Sequence, residues 1–293
     1  MKHLRVLECA PGLNAYYDGR IPDYRFMPGP NWIDDGAISL GIASYALISE
    51  NKALVYDTHV SVEHAGFIRN DLAARGVTAF TVLLSHWHLD HIAGNAAFAD
   101  CEIIANSKTL AHLKAHQHGI EDGSFHGPPA INPLVLPTRI FEGEMGFKLG
   151  SMDLTFMEAN IHSDDASLVW RAEDGLLLAG DTMEDTITYV GEPQDFDIHL
   201  TELDRLWALN PQFIFPNHGS PDIIGAGGYG KGLIKAQQQY IRTLKRCQTD
   251  EALRQTPLLA LIAGPLEMGW VNHFSPYEEV HAQNLKRVLD LLS

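Results

Sequence analysis

The chain is poor in what several functional classes require. Its three cysteines, Cys9, Cys101 and Cys247, are odd in number and far apart. That excludes a disulfide framework and a thiolate metal site, and it fits a reducing compartment, with the cytoplasm expected. Basic residues are scarce as well: 21 Lys and Arg stand against 37 Asp and Glu, a formal charge of −16. A phosphate backbone demands clustered cations, and the best candidates, Lys231, Lys235, Arg242, Lys245 and Arg246, read as the solvated face of one amphipathic helix. A nucleic-acid partner is therefore not expected. No uninterrupted apolar stretch is long enough to span a bilayer, and the opening Met-Lys-His-Leu-Arg lacks the apolar core of a signal peptide. A membrane partner is not expected either. No repeat of a few tens of residues is found. At 293 residues and 45% hydrophobic content, the chain can build a substantial core, and one α/β domain over 1–293 is the expectation.

What stands out against these absences is one dense run of ligands. Residues 86–91 read His-Trp-His-Leu-Asp-His, and four of those six side chains are good metal ligands for zinc, manganese or iron. Packing does not explain such a density, because buried polar groups need partners. The apolar run "TVLLS" (81–85) reads as a buried strand emptying into a loop. In the extended stretch that follows, His86 and His88 point the same way, since side chains alternate with period two. Asp90 and His91 then open a helical segment. Two ligands would face one metal from the loop and two would reach a second from the turn into the helix.

A catalytic centre needs further ligands from elsewhere, and three candidates follow apolar, β-type runs. His162 comes after "LTFMEANI", Asp181 after "GLLLAG" and His218 after "PQFIFPN". Each is placed at a strand end, on the loops that usually carry function. Taken singly, any of them reads as a turn or capping residue. Their order behind the first cluster gives them weight.

The ordered set resembles the metallo-β-lactamase-fold hydrolase superfamily over roughly residues 38–220. "ALVYDTH" (53–59) matches its strand ending in Asp, "SHWHLDHIAGN" (85–95) its central motif, and "LLLAGDT" and "FPNHGS" its later ones. The resemblance implies an αββα sandwich of two mixed β-sheets flanked by helices; strand and helix pattern alone does not separate this from other α/β folds. It also implies two divalent metal ions, Zn2+ first with Mn2+ or Fe2+ as alternatives. His86, His88 and His162 would hold the first and Asp90, His91 and His218 the second. Asp181 would bridge the two, and Asp57 would orient a ligand histidine. The implied activity is hydrolysis of a small-molecule ester, lactone, thioester or amide by a hydroxide shared between metals about 3.5–4 Å apart. Asp90 would carry the proton to the leaving group.

Three departures from the family pattern are visible. His59 stands where the family has Gly and is a candidate pocket residue. Asn217 replaces the Gly that precedes the last histidine, and its tolerance of left-handed backbone should keep the turn. The Tyr that lactonases carry soon after the bridging Asp is missing from Thr182-Met183-Glu184-Asp185, and the nearest is Tyr189. True zinc β-lactamases typically lack the bridging Asp. The rival chemistry is a mononuclear iron persulfide dioxygenase, and the non-enzyme reading is a metal-binding protein without turnover. Oligomeric state is open.

The remaining pattern predicts a short strand and long loop over 1–36, a hairpin over 38–57, and a helix over 61–75 with Ser61 as its N-cap. Strands are predicted at 79–85 and "CEIIAN", then a helix over 107–117, strand signals at 146–158 and 167–180, a helix over 199–209, a strand at 213–216, and helices over 231–247 and 276–292. Two stretches are candidate pocket or lid loops: 11–35, with Tyr16, Tyr17, Tyr24, Phe26 and Trp32, and 116–135, with His116, His118, Phe125 and His126. A second metal site at His116 and His118 is not expected.

Overall fold

Strand β4 (Lys52–Tyr56) shows how the layers arise. Its Leu54 and Tyr56 enter one core cluster and its Ala53 and Val55 another, because successive strand residues point to opposite faces. β5 (Ala79–Leu83) and β6 (Glu102–Asn106) divide in the same way, with Leu83 and Ile104 on one side and Val82, Ile103 and Ala105 on the other. Both faces are thus apolar, which calls for a layer on each side.

The computed structural model describes residues 1–291. Its first sheet has seven strands in chain order, with β1 (Arg5–Ala10), β2 (Leu13–Asp18) and β3 (Ile42–Ser49) before β4, and β7 (Arg139–Phe141) after β6. Pairing is antiparallel up to β4 and parallel from β4 to β7. Ala65, Ile68 and Leu72 of helix α1 (Val62–Ala74), with Leu113 and Ile120 of α3 (Ser107–Asp122), cover its outer face. The second sheet runs β12 (Phe213–Pro216), β11 (Leu176–Gly180), β10 (Ser163–Arg171), β9 (Met152–Ile161) and β8 (Glu144–Leu149), and within it only β11 and β12 are parallel. Phe196, Leu203 and Leu206 of α4 (Phe196–Ala208) pack on it with Leu233, Ile241 and Leu244 of α6 (Gly232–Cys247). Short helices α2 (Leu89–Ile92) and α5 (Pro221–Gly225) lie in loops. Another three, α7 (Glu251–Arg254), α8 (Leu258–Leu261) and α9 (Ala263–Glu267), lead to the last helix, α10 (Tyr277–Asp290). Two mixed sheets flanked by helices are the expected architecture. No helix among the described residues is long and apolar enough to cross a membrane.

Most predicted elements stand within a few residues, and Ser61 caps α1 by accepting from the His64 amide. α3 outruns its predicted end at 117, continuing to Asp122 before left-handed Gly123 (φ 77°) stops it. α4 starts earlier than predicted, at Phe196. The long loop predicted after the first strand is corrected: 13–18 form β2, and its Tyr16 and Tyr17 are fully buried core residues rather than pocket residues. The helix predicted over 276–292 spans 277–290, and residue 292 lies outside the described residues.

Tyrosine hydroxyls and main-chain bonds tie the first sheet to the second and its loops. Tyr45 donates to the Pro216 carbonyl at 2.5 Å, Tyr56 to Ser167 at 2.6 Å and Tyr17 to Gly219 at 2.8 Å. The Ser167 amide donates to Ser85 at 2.7 Å and that of Ala43 to Asn217 at 2.8 Å. Buried polar groups cost stability when left without partners, so these bonds hold the two layers in one relation. Replacing Tyr56→Phe strips the Ser167 carbonyl of a donor. The expected loss is about 1–3 kcal/mol of unfolding free energy, read as a lower urea midpoint at unchanged slope; an unchanged midpoint would show that the tie does not hold the layers.

Candidate metal centre

Every predicted ligand leaves a strand at the same edge of the sandwich. His86, His88, Asp90 and His91 follow β5, with Asp90 and His91 inside α2 as expected. That turn is allowed by Gly94, where a Cβ would meet the Thr58 carbonyl oxygen at 2.0 Å. His162 is the single residue between β9 and β10, held at φ 70°. Asp181 and His218 follow β11 and β12.

The structure brings these seven together as two groups. His86, His88 and His162 form one, and Asp90, His91, Asp181 and His218 the other. In the first, His88 Nδ1 lies 2.9 Å from His86 Nε2 and 3.0 Å from His162 Nε2. In the second, His218 Nε2 lies 3.2 Å from Asp90 Oδ2. Asp181 Oδ2 stands between them, 3.0 Å from Nε2 of His91, 3.4 Å from His218, 3.7 Å from His86 and 3.8 Å from His162.

The outer contacts fix which nitrogen each ring turns inward. His162 Nδ1 donates to the Tyr189 carbonyl at 3.1 Å and His218 Nδ1 to Gly41 at 2.8 Å. His91 Nδ1 faces Asp57 Oδ2 at 2.9 Å. A proton committed outward leaves a lone pair at Nε2. Asp57 is itself held by the Ser85 amide at 2.6 Å and the Asn217 amide group at 2.5 Å. Burial pushes the imidazoles of His86, His88 and His162 down, His88 to about 3 and His162 to about 4. Burial also pulls on His91 and His218, but Asp181 and Asp90 outweigh it and raise both. Asp90, despite its burial, is held at about 2 by His91 and His218.

Converging imidazole lone pairs repel unless a cation sits among them, and the enclosed Asp181 Oδ1 has no hydrogen-bond partner. Imidazole and carboxylate in this proportion suit borderline divalent ions. The residues therefore fit metal.

Two departures from the family pattern resolve differently from expectation. His59 does not line the cavity: it is fully buried, stacked on His64 at 4.4 Å, with Nδ1 accepting from the Val60 amide. Its φ of 67° accounts for the family's glycine there. Asn217 is not left-handed; its side chain serves Asp57 instead.

A cavity of about 380 Å³ opens onto the cluster. Trp32, Leu40, Leu89, Phe125, Tyr189 and Val280 give it apolar walls. From the two candidate loops, Trp32, Asp35, Phe125 and His126 reach it, and Trp32 Nε1 joins the loops by donating to Pro129 at 2.9 Å. His116 instead stacks on Trp87 at 4.9 Å, and His118 is exposed. Tyr189 does line the site, its ring 5.6 Å from that of His162. The sequence reading missed the wall from α10 (Glu279, Val280, Gln283) and the role of Glu184. α10 reads as a helix in the sequence, but nothing local places it on the cavity, whereas Glu184 stands only three residues past Asp181.

The Metallo-beta-lactamase superfamily model matches residues 39–218, and the chain belongs to that superfamily, whose members are mostly metal-dependent hydrolases. No curated protein matches it by sequence. Among solved structures it is similar to VMB-1, at 14% identity over 84% of this chain and 99% of that one, TM-score 0.61. The DIM-1 metallo-β-lactamase is 18% identical over 82% and 98%, TM-score 0.60. A metallo-β-lactamase from Pontibacter korlensis is 14% identical over 82% and 99%, TM-score 0.62. At such identities the likeness is one of fold.

Glu184 is buried, accepting from the Tyr189 amide and the Tyr277 hydroxyl, both at 2.9 Å. Burial first and Asp181 second push its carboxyl from an ordinary 4.5 to about 7. A carboxyl raised on folding contributes stability below its unfolded value and loses it as pH climbs through the folded one. In metal-free protein, Glu184→Gln should remove this fall. Urea midpoints of wild type and variant should diverge from about pH 4.5 to 7, the variant gaining; parallel curves would rule out a raised Glu184.

Proposed function

We propose that the chain is a metal-dependent hydrolase acting on a small ester, lactone, thioester or amide with an apolar substituent. The observation carrying this is the Asp181 carboxylate, within 3.8 Å of Nε2 of four histidines from both sheets and open to an apolar-walled cavity. Divalent metal held there supplies acidified water and carbonyl polarisation. His86, His88 and His162 on one side and Asp90, His91 and His218 on the other would hold two ions, with Asp181 common to both.

The chain's own groups do the rest. Asp57 fixes the His91 ring through Nδ1, so His91 would present Nε2 to a metal in one orientation. Asp90 lines the cavity with Oδ2 3.2 Å from His218 Nε2, a position from which it would relay a proton to a leaving group. Trp32, Phe125 and Val280 hold the apolar part of the substrate and exclude water. Tyr189 presents its ring beside His162 at the same wall. Neither a serine nor a cysteine nucleophile is required. The cavity is of ordinary size for a small-molecule site.

Elemental mass spectrometry of the protein as purified should find about two zinc or manganese ions per chain, with turnover in an ester and lactone screen. One iron per chain with oxygen uptake on a persulfide would overturn the proposal. His88→Ala should lose metal and turnover together; turnover retained without metal would refute the mechanism. Asp57→Asn touches no metal position, and should weaken metal affinity about 10–100-fold, measured by chelator competition.

A further inference from the structure

A separate group of ligand-type side chains lies outside the seven-residue cluster. It consists of His112 on α3 and of Asp164 and Asp165 at the start of β10. One ligand atom of each lies within 4.8 Å of the other two, and His112 Nε2 is 2.7 Å from Asp164 Oδ1. Adjacent ligands on one ion, each about 2.1 Å from it, stand about 3–3.4 Å apart, so a bound ion would need these atoms drawn only slightly together.

The enclosed member points to a ligand. Asp165 is fully buried; its Oδ1 accepts from the Ser163 hydroxyl at 2.5 Å, while Oδ2 has no hydrogen-bond partner. A buried carboxylate oxygen without a partner is costly. Lys108 attracts the carboxylates of both Asp164 and Asp165, but its Nζ bonds Glu158 at 2.8 Å and the main-chain carbonyl of Asp164 at 3.0 Å and leaves Asp165 Oδ2 without a hydrogen bond. Thr109 Oγ1 on α3 and Glu192 Oε2 are enclosed and form no hydrogen bond either; the Thr109 hydroxyl faces the Asp165 carboxyl, and burial, with Asp164 and Asp165 behind it, pushes Glu192 up to about 7. The charge balance favours a cation. His112 and Asp164 are about one-third exposed, at 32% and 31%, which leaves a path from solvent.

We propose that His112, Asp164 and Asp165 form an additional cation site taking a borderline divalent ion, zinc or manganese. One imidazole and two carboxylates suit such ions, and three protein ligands leave positions for water. An ion there joins α3 to the strand that begins immediately after His162. It also sits behind Trp87, whose ring stacks on His112 at 5.0 Å and whose chain neighbours are His86 and His88. The site braces the first group of the metal centre from behind without contributing a ligand to it.

The test counts zinc bound per chain after equilibrium dialysis, by elemental mass spectrometry, in wild type, His112→Ala and Asp165→Asn. Wild type should hold about one more ion than either variant, and His112→Ala, altered at a part-exposed position, should keep its near-ultraviolet circular dichroism. Added zinc should also raise the melting temperature of wild type more than that of His112→Ala. The same count on a His88→Ala background separates the two sites: a further ion lost with His112→Ala supports the additional site whatever the hydrolase assays show. Equal zinc counts in wild type and His112→Ala would overturn it, meaning that water satisfies Asp165 instead.

Discussion

One carboxylate holds the centre of this molecule. Asp181 Oδ2 lies between 3.0 and 3.8 Å from Nε2 of His86, His91, His162 and His218, and those rings come from three separate strand ends, those of β5, β9 and β12. Buried charge at this density is stable only when each group has its counterpart. The cluster therefore constrains how the two sheets meet at that edge. The links from Ser167 to Ser85 and from Ala43 to Asn217, with the tyrosine hydroxyls behind them, supply a rigid frame for it. Strand ends supported in this way place ligands more closely than free loops can.

Support continues outward from the candidate ligands. His91 leans on Asp57, and Asp57 on Asn217 and Ser85; His162 leans on the Tyr189 carbonyl. The segment carrying Glu184 and Tyr189 is held from the C-terminal half. Gln237 donates to the Glu184 carbonyl at 2.7 Å, and Asn284 on α10 accepts from the Val190 amide at 2.8 Å. The same α10 walls the cavity, so the helix that fixes the ligand loop also shapes the space above it. Trp32 does comparable double duty, lining the cavity while tying residues 32 and 129 together.

Much of this was legible because it is local. His86, His88, Asp90 and His91 are neighbours in the chain, and His162, Asp181 and His218 each announce a strand end by the apolar run before them. His59 and Asn217 misled for opposite reasons. At His59 the departure from glycine suggested a pocket residue, but the left-handed backbone turns the ring into the core beside His64. At Asn217 a backbone explanation was expected, and the side chain was what mattered, through a bond to a residue 160 positions away. Tyr16 and Tyr17 read as loop aromatics until β2 paired with β3 and buried them.

The candidate ligand types, their order and the strands that precede them can be read along the chain, because period-two alternation and apolar runs are properties of short segments. Long-range packing alone sets which oxygen of Asp181 faces the histidines, places α10 along the cavity wall and buries Glu184 against Tyr277. These depend on pairs far apart in the chain. Their contact is set by how two sheets and their covering helices pack, and no local spacing encodes it.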